Sequence, residues 1–445
     1  MSISKLAGKA DKTMGTQRMT NYRWVVMAII FGFYTMTYAD RANIGVVLPY
    51  IQKEYHLSSF EAGQLASLFF IGYALTQIPA GLWYGKYGVR SLISFAMIIT
   101  SIFTGLIGTA SSAFFIKLYR FGLGMAEGPC PVGVTSTINN WFPPKEKGTA
   151  TGIYIAATKF APVLVPPVTV WIMLTFGWRE VFYIFAAPGI MLAAAWYLFI
   201  KNQPEESRFV SPAEVAHIRE TAPAAAGEIV SAGPKDFGWL DWLIRAKKIA
   251  PIATNRGVFF SWNMWAATIG YFSLVSIVYG LLTWIPSYLI NAKHFSFIKM
   301  GFVAAAPWVG AVCGSFLGGL ISDKLLDKRR KPLMLVSTAA TACMMVALIN
   351  LPGDTTIIAL TLLLTGLLLN IGYSNYSAYP MGLTTKQTFP VAIGLVNSGG
   401  NLGGFFAPMI AGYLLDLFGY TAVFTYFGIS ALVGLAVTLT MDEPL

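Results

Sequence analysis

His56-Leu57-Ser58-Ser59-Phe60-Glu61-Ala62-Gly63 returns later in the chain as His294-Phe295-Ser296-Phe297-Ile298-Lys299-Met300-Gly301, with His, Ser and Gly in the same places. The same offset carries Gly81-Leu82-Trp83-Tyr84-Gly85-Lys86 onto Gly319-Leu320-Ile321-Ser322-Asp323-Lys324. Further on, Phe176-Gly177-Trp178-Arg179-Glu180-Val181-Phe182 has its counterpart in Phe418-Gly419-Tyr420-Thr421-Ala422-Val423-Phe424, four residues out of that register. Three matches in one order are more than apolar composition produces. They imply a parallel duplication, two halves that could rock about a central site.

The material between these landmarks is membrane-like. Of 445 residues, 56% are hydrophobic and only 11% charged, with mean hydropathy +0.61. A soluble surface of this size needs more charge, and the apolar runs reach about 20 residues, a bilayer's width. Spans are expected near 24–48, 61–83, 90–110, 113–141, 148–173 and 179–200, then 268–290, 300–322, 332–351, 355–380, 391–416 and 421–440. The expected fold is therefore all-α and membrane-embedded, twelve transmembrane helices in two pseudo-symmetric six-helix bundles. Residues 1–200 form one half, 201–256 a polar cytoplasmic linker and 257–445 the other half. Ser211-Pro212-Ala213-Glu214 reads as a capping box that starts a short linker helix, and 257–267, with Trp262 and Trp265, as an interfacial stretch. The first apolar segment is too long for a signal-peptide core and is expected to be retained.

The formal charge of +11 reports topology. Basic residues gather in the N-terminal tail (Lys5, Lys9, Lys12, Arg18, Arg23) and in connectors (Lys86 and Arg90; Lys145 and Lys147; Lys324 to Lys331). The opposite connectors carry few. By the positive-inside rule both termini face the cytoplasm, and no nucleic-acid partner is implied. Cys130, Cys313 and Cys343 stand in apolar segments at no metal-ligand spacing and read as small buried residues.

The connector Gly81-x-x-x-Gly85-Lys86-x-Gly88-x-Arg90 resembles the signature that the major facilitator superfamily carries after its second span. Gly85 stands where the family has aspartate, whereas the second copy keeps Asp323. A narrower resemblance, to the anion:cation symporter branch that includes sialin and bacterial galactonate, glucarate and hexuronate permeases, rests on several motifs. These are Tyr38-Ala39-Asp40-Arg41-Ala42-Asn43, Arg120 to Pro129, Asn140-Trp141-Phe142-Pro143, Gly177-Trp178-Arg179, Thr283 to Leu289 and Asn397. The resemblance implies protonation at Asp40 and Glu127, and a substrate carboxylate on Arg41.

An ionisable group near the bilayer centre is expensive and so a functional candidate. Five lie well inside spans: Asp40, Arg41, Arg120, Glu127 and Lys159, all in the first half. Arg120 and Glu127, seven apart, share a helix face and could form a fixed intrahelical pair. Alternatively, a carboxylate that trades its arginine partner during the cycle would couple protons to transport. Lys159 departs from the branch pattern. It reads either as a second anion-binding cation, which would favour a substrate with two acidic groups, or as a lysine neutralised by Glu127. Tyr38, Tyr73, Thr158, Tyr279, Asn375, Tyr376 and Asn397 are candidate substrate ligands, suited to hydroxyl groups, beside Gln77, Asn370, Tyr379 and Asn401.

The expected function is proton-coupled symport of a small organic anion, a sugar acid such as a hexonate, hexarate or hexuronate, across the cytoplasmic membrane by alternating access. The competing transporter reading is an organic anion or organophosphate exchanger without proton coupling. An enzyme is not expected: His-Glu-x-x-His, Gly-x-Ser-x-Gly and nucleotide loops are absent, and His56, His217 and His294 lie in connectors. No cofactor or metal is implied. The partners are substrate, protons and the lipid bilayer, and a monomer is expected.

Overall fold

The computed structural model describes residues 19–219, 237–385 and 387–444. Lys5, Lys9, Lys12, Arg18 and linker residues 220–236 lie outside these. The chain is helical almost throughout. Helices α1 (Tyr22–Tyr55) and α2 (Ser59–Thr109) are followed by α3 (Ala113–Glu127), α4 (Cys130–Trp141), α5 (Lys147–Thr175) and α6 (Trp178–Phe199). Short helices α7 (Pro212–Arg219), α8 (Trp239–Leu243) and α9 (Asn255–Phe260) lead to α10 (Trp262–Asn291), α11 (Phe297–Val303) and α12 (Ala306–Leu320). Then come α13 (Lys331–Ile349), α14 (Thr355–Ile371), α15 (Tyr373–Ala378), α16 (Pro380–Leu383) and α17 (Phe389–Thr440). Among the described residues, eight helical stretches are long and apolar enough to cross a bilayer. Their outer faces expose Trp171, Met191, Phe316 and Phe418, side chains that only lipid would solvate well.

The helices depart from the hydropathy reading at identifiable residues. Gly88 at φ 73° breaks α2, and Gly419 at φ 76° breaks α17, so each is two helices meeting at a glycine in the left-handed region. The expected 113–141 segment divides between α3 and α4. Residues 262–267 extend α10 beyond the expected span, and Trp262 is tied by its Nε1 to Thr440 Oγ1 at 2.9 Å. Cys130 is buried as expected, but Cys313 and Cys343 lie on exposed helix faces.

The repeated residues have local jobs that explain their recurrence. His56 and His294 both adopt positive φ, 51° and 54°, between helices. Ser58 and Ser296 both accept a hydrogen bond from the backbone two to three residues into the next helix, Glu61 N and Lys299 N. Gly72 and Gly310 stand at the same offset, and each presses on a carbonyl: a Cβ would lie 2.2 Å from Phe121 O and 1.9 Å from Leu363 O. Reciprocally, a Cβ on Gly124 or Gly366 would come within 1.9 Å of Phe69 O or 1.7 Å of Pro307 O. Small residues let these helix backbones touch.

The ends of the linker are tied down. Buried Glu214 accepts hydrogen bonds from Tyr22 N and Arg23 N at 3.0 Å each, capping α1. Ser211 Oγ caps α7 as the motif predicts (Glu214 N at 3.2 Å), but the Glu214 carboxylate is spent on α1 and not on its own helix. Arg23 also pairs with Glu146 at 2.7 Å, which holds that carboxyl below its ordinary range. At the far end, strands β1 (Ala246–Lys247) and β2 (Glu443–Pro444) pair in parallel. Glu443 accepts from Arg330 N and Lys331 N at 2.7 and 2.8 Å, capping α13, and burial pushes its carboxyl up to about 7.

Candidate functional site

Residues 19–200 and 262–440 meet along one end and near the middle. At that end Gly63 packs on Pro408 O and Gly301 on Pro166 O, equivalent contacts across the interface, and Tyr50 packs on Phe297. Asp416 accepts from Ser59 N at 2.7 Å and Phe60 N at 2.8 Å, so a carboxylate of α17 caps α2. Deeper in, the hydrogen bonds between the two sets of helices, among the described residues, are Arg41–Tyr279, Lys159–Asn370 and Asn401–Gln77. Toward the end that carries Lys86, Lys145 and Lys324, no such bond joins them among the described residues. Among those residues the bundle is closed at one end and unjoined at the other.

Arg41 is the centre of the closed region. Its Nε and Nη2 both donate to Glu127 Oε2, at 3.1 and 2.9 Å, and Nη1 donates to Tyr279 Oη at 3.3 Å. Its guanidinium carbon lies 4.6 Å from the Tyr38 ring centre and 4.8 Å from those of Phe69 and Tyr73. Glu127 is fully buried and Arg41 is 6% exposed. Such a pair in a water-poor pocket is held by geometry and by the cost of separating it.

Arg120 does not pair with Glu127, despite the shared face. Its Nη1 donates to the Asp40 carbonyl at 2.9 Å and its Nε to the Leu65 carbonyl at 3.0 Å, with the Phe69 ring beneath it at 5.2 Å. Phe69 thus lies against both arginines. The Asp40 carboxylate is buried, with no ion pair among the described residues, and its Oδ1 has no hydrogen-bond partner. Lys159 does not pair with Glu127 either. Its Nζ donates to Asn370 Oδ1 at 2.8 Å and lies 4.4 Å from the Tyr373 ring centre.

The remaining candidates divide. Tyr38, Tyr73 and Tyr279 gather on Arg41. Asn375 is buried with its Nδ2 unpartnered. Thr158 bonds locally to the Ile155 carbonyl at 2.7 Å, and Asn397 is exposed. Tyr376 is turned into the packing of its own half, bonded to Thr438 Oγ1 at 2.6 Å and pressed on Gly270. Tyr379 likewise donates to the Asp442 carbonyl. Sequence reading missed Phe69, Tyr34, Tyr154 and Tyr373, which complete the aromatic lining: Tyr34 touches Tyr154 and Tyr38, and the Tyr271 hydroxyl donates to that of Tyr373 at 3.2 Å. Their signal was spacing alone. Tyr373 follows Asn370 by three residues on the face that Lys159 meets.

The chain matches the Major Facilitator Superfamily family profile over residues 30–389. It is similar to the probable galactarate/D-glucarate transporter GarP of Escherichia coli (28% identical, covering 93% of each chain) and to GudP of Bacillus subtilis (27%, covering 96% and 93%). It is also similar to the hexuronate transporter of Bacillus subtilis (26%, covering 88% and 87%). Among solved structures, a bacterial homolog of the human lysosomal transporter Spinster, inward-facing and occupied, superposes with TM-score 0.74 at 18% identity over 95% and 96% of the chains. The nucleoside transporter NupG superposes with TM-score 0.70 at 12% identity over 95% and 100%.

Proposed function

The chain belongs to the Major Facilitator Superfamily, a family of transporters and not of enzymes, and we propose that it carries a sugar-acid anion together with protons. The observation that carries this reading is the buried pair of Arg41 with Glu127, two N–H groups on one carboxylate oxygen, reached from the other half by Tyr279. Arginine is the side chain best shaped for a carboxylate. The aromatic and amide groups around it suit a polyhydroxylated body, and similarity to galactarate/D-glucarate and hexuronate transporters points to the same class.

The architecture goes with it: twelve spans in two six-helix halves, residues 1–200 and 257–445, joined by the linker 201–256. Both termini and the unjoined end face the cytoplasm, the membrane is the cytoplasmic one, and the protein works as a monomer. Substrate arriving at Arg41 competes with Glu127 for the same N–H groups. A proton on Glu127 releases the guanidinium, and Asp40, whose carboxylate has no ion-pair partner among the described residues, is the second proton carrier. Substrate and proton then load together, and the halves rock about the filled site.

The test is uptake into proteoliposomes of radiolabelled glucarate, galactarate, gluconate and glucuronate. Accumulation should follow an inward proton gradient and collapse with a protonophore. Accumulation that survives the protonophore in sodium-free buffer, driven instead by internal anion, would establish the exchanger reading.

A further inference from the structure

Two intramembrane cations of the five-residue set are left unemployed by the Arg41 mechanism: Arg120, which is committed to two backbone carbonyls, and Lys159. Lys159 is 8% exposed, on α5, and its ammonium has no carboxylate within ion-pair distance among the described residues. Its partners are an amide oxygen, Asn370 Oδ1, and the face of Tyr373. Both can attract a cation without neutralising it. Asn370 is itself fixed, its Nδ2 donating to the Gly366 carbonyl at 2.9 Å, so the ammonium is held in place.

This cation and Arg41 border the same region. Tyr38 stands on Arg41, and Tyr373, which stands on Lys159, packs on Tyr271. On α5 itself, Tyr154 packs on Tyr34, which packs on Tyr38. Ring contacts therefore run from the guanidinium through Tyr38 and Tyr34 to Tyr154 on α5, the helix that carries the ammonium. With Asp40 and Glu127 ionised, the five buried charges sum to an excess of one positive, and a proton on Glu127 makes it two. At that protonation a dianion balances the excess, whereas a monoanion leaves one positive charge.

We infer that Lys159 is a specificity-determining residue that receives a second acidic group, so the substrate is a diacid with Arg41 at one end and Lys159 at the other. The inference rests on the sugar-acid reading for the body of the substrate but not for its charge. The geometry further assigns Asn370 and Tyr373 as the groups that hold Lys159 in position.

Equilibrium binding to the purified protein tests it, with two matched pairs of ligands: glucarate against gluconate, and adipate against hexanoate. Wild-type protein should bind glucarate at least about tenfold tighter than gluconate, the worth of one charge-assisted contact in a dry site. Lys159→Gln should erase most of that ratio, and Lys159→Arg should keep it. Equal binding of diacid and monoacid by the wild type overturns the inference, as does a Lys159→Gln variant that weakens both ligands equally. The wild-type ratio needs no variant, so poor folding of the glutamine protein leaves the test intact. If neither sugar acid binds but adipate outranks hexanoate, the sugar-acid reading fails and the second acid station stands. If none of the four binds, both fail.

Discussion

Arg41 cannot give the same two N–H groups to Glu127 and to an incoming carboxylate, and that conflict fixes what substitutions here should do. Glu127→Gln removes the competitor and imitates the protonated state. It should tighten substrate binding near neutral pH and flatten its pH dependence, whereas wild-type binding should strengthen as pH falls, because protons take Glu127 off the arginine. Counterflow should survive in this variant while gradient-driven accumulation vanishes. A merely structural pair would instead lose stability and both transport modes together, and thermal unfolding of the same preparation separates the cases. Arg41→Ala should cost binding about 2–5 kcal/mol, since a buried carboxylate is left unpaired, and Arg41→Lys should recover only part of it. A folded alanine variant with unchanged affinity would return Arg41 to a structural role. Much of this cluster was legible in the sequence, because a charge in an apolar run declares itself. The pairing was not. Helix periodicity correctly put Arg120 and Glu127 on one face, yet carbonyls of Asp40 and Leu65 took Arg120 and left Glu127 to Arg41, 86 residues away in sequence.

Helices in this bundle are stopped, bent and joined by a few small or polar residues, and there the sequence was partly readable. Apolar runs located the long helices, but hydropathy is blind to backbone torsion. It could not tell that Gly88 and Gly419 turn two helices in place. It read Tyr376 as a ligand because nothing in a helical run says which face a neighbouring helix will cover; Gly270, lacking a Cβ, lets Tyr376 pack inward. The repeat told more, since its His, Ser and Gly are caps and close contacts in both copies. Gly124 and Gly366, at the crossing of paired helices, give a prediction at this scale. Gly124→Leu and Gly366→Leu should each destabilise the protein by more than about 1–3 kcal/mol, the range for ordinary overpacking, because the obstacle is a backbone carbonyl. Thermal unfolding in detergent reads this out. Asp416 gives another. It caps α2 from the opposite half, so Asp416→Ala removes a cap worth about 1 kcal/mol from the closed state alone, shifting the conformational balance about fivefold toward opening that end. Labelling of a cysteine introduced at Tyr50, on the closed side, should rise accordingly; unchanged labelling would show that the cap adds nothing to closure.

The molecule as a whole is closed by a pair of equivalent contacts, and this permits a test of alternating access that leaves the charged residues alone. Gly63 meets Pro408 and Gly301 meets Pro166, the same relation seen from each half, with the first much tighter: a Cβ would lie 2.4 Å from Pro408 O but 3.4 Å from Pro166 O. A side chain at Gly63 must therefore push the halves apart at this end, whereas one at Gly301 meets the Val170 side chain at 3.0–3.2 Å and backbone only at 3.4 Å. If the halves rock as units, Gly63→Leu should oppose the closed conformation by about 1–3 kcal/mol or more, enough to move a two-state balance by roughly 5- to 150-fold. Transport should fall steeply while substrate still binds from the Gly63 side. Cysteines placed at Tyr50 and, on the opposite end, at Ser398 would report the shift, labelling rising at the first and falling at the second. Gly301→Ala should leave both labels near wild type. The reciprocal change is what identifies rocking: a local distortion would raise the Tyr50 label and leave Ser398 alone. Unchanged labels with full transport would mean that this end never closes as tightly in the working cycle as it does here.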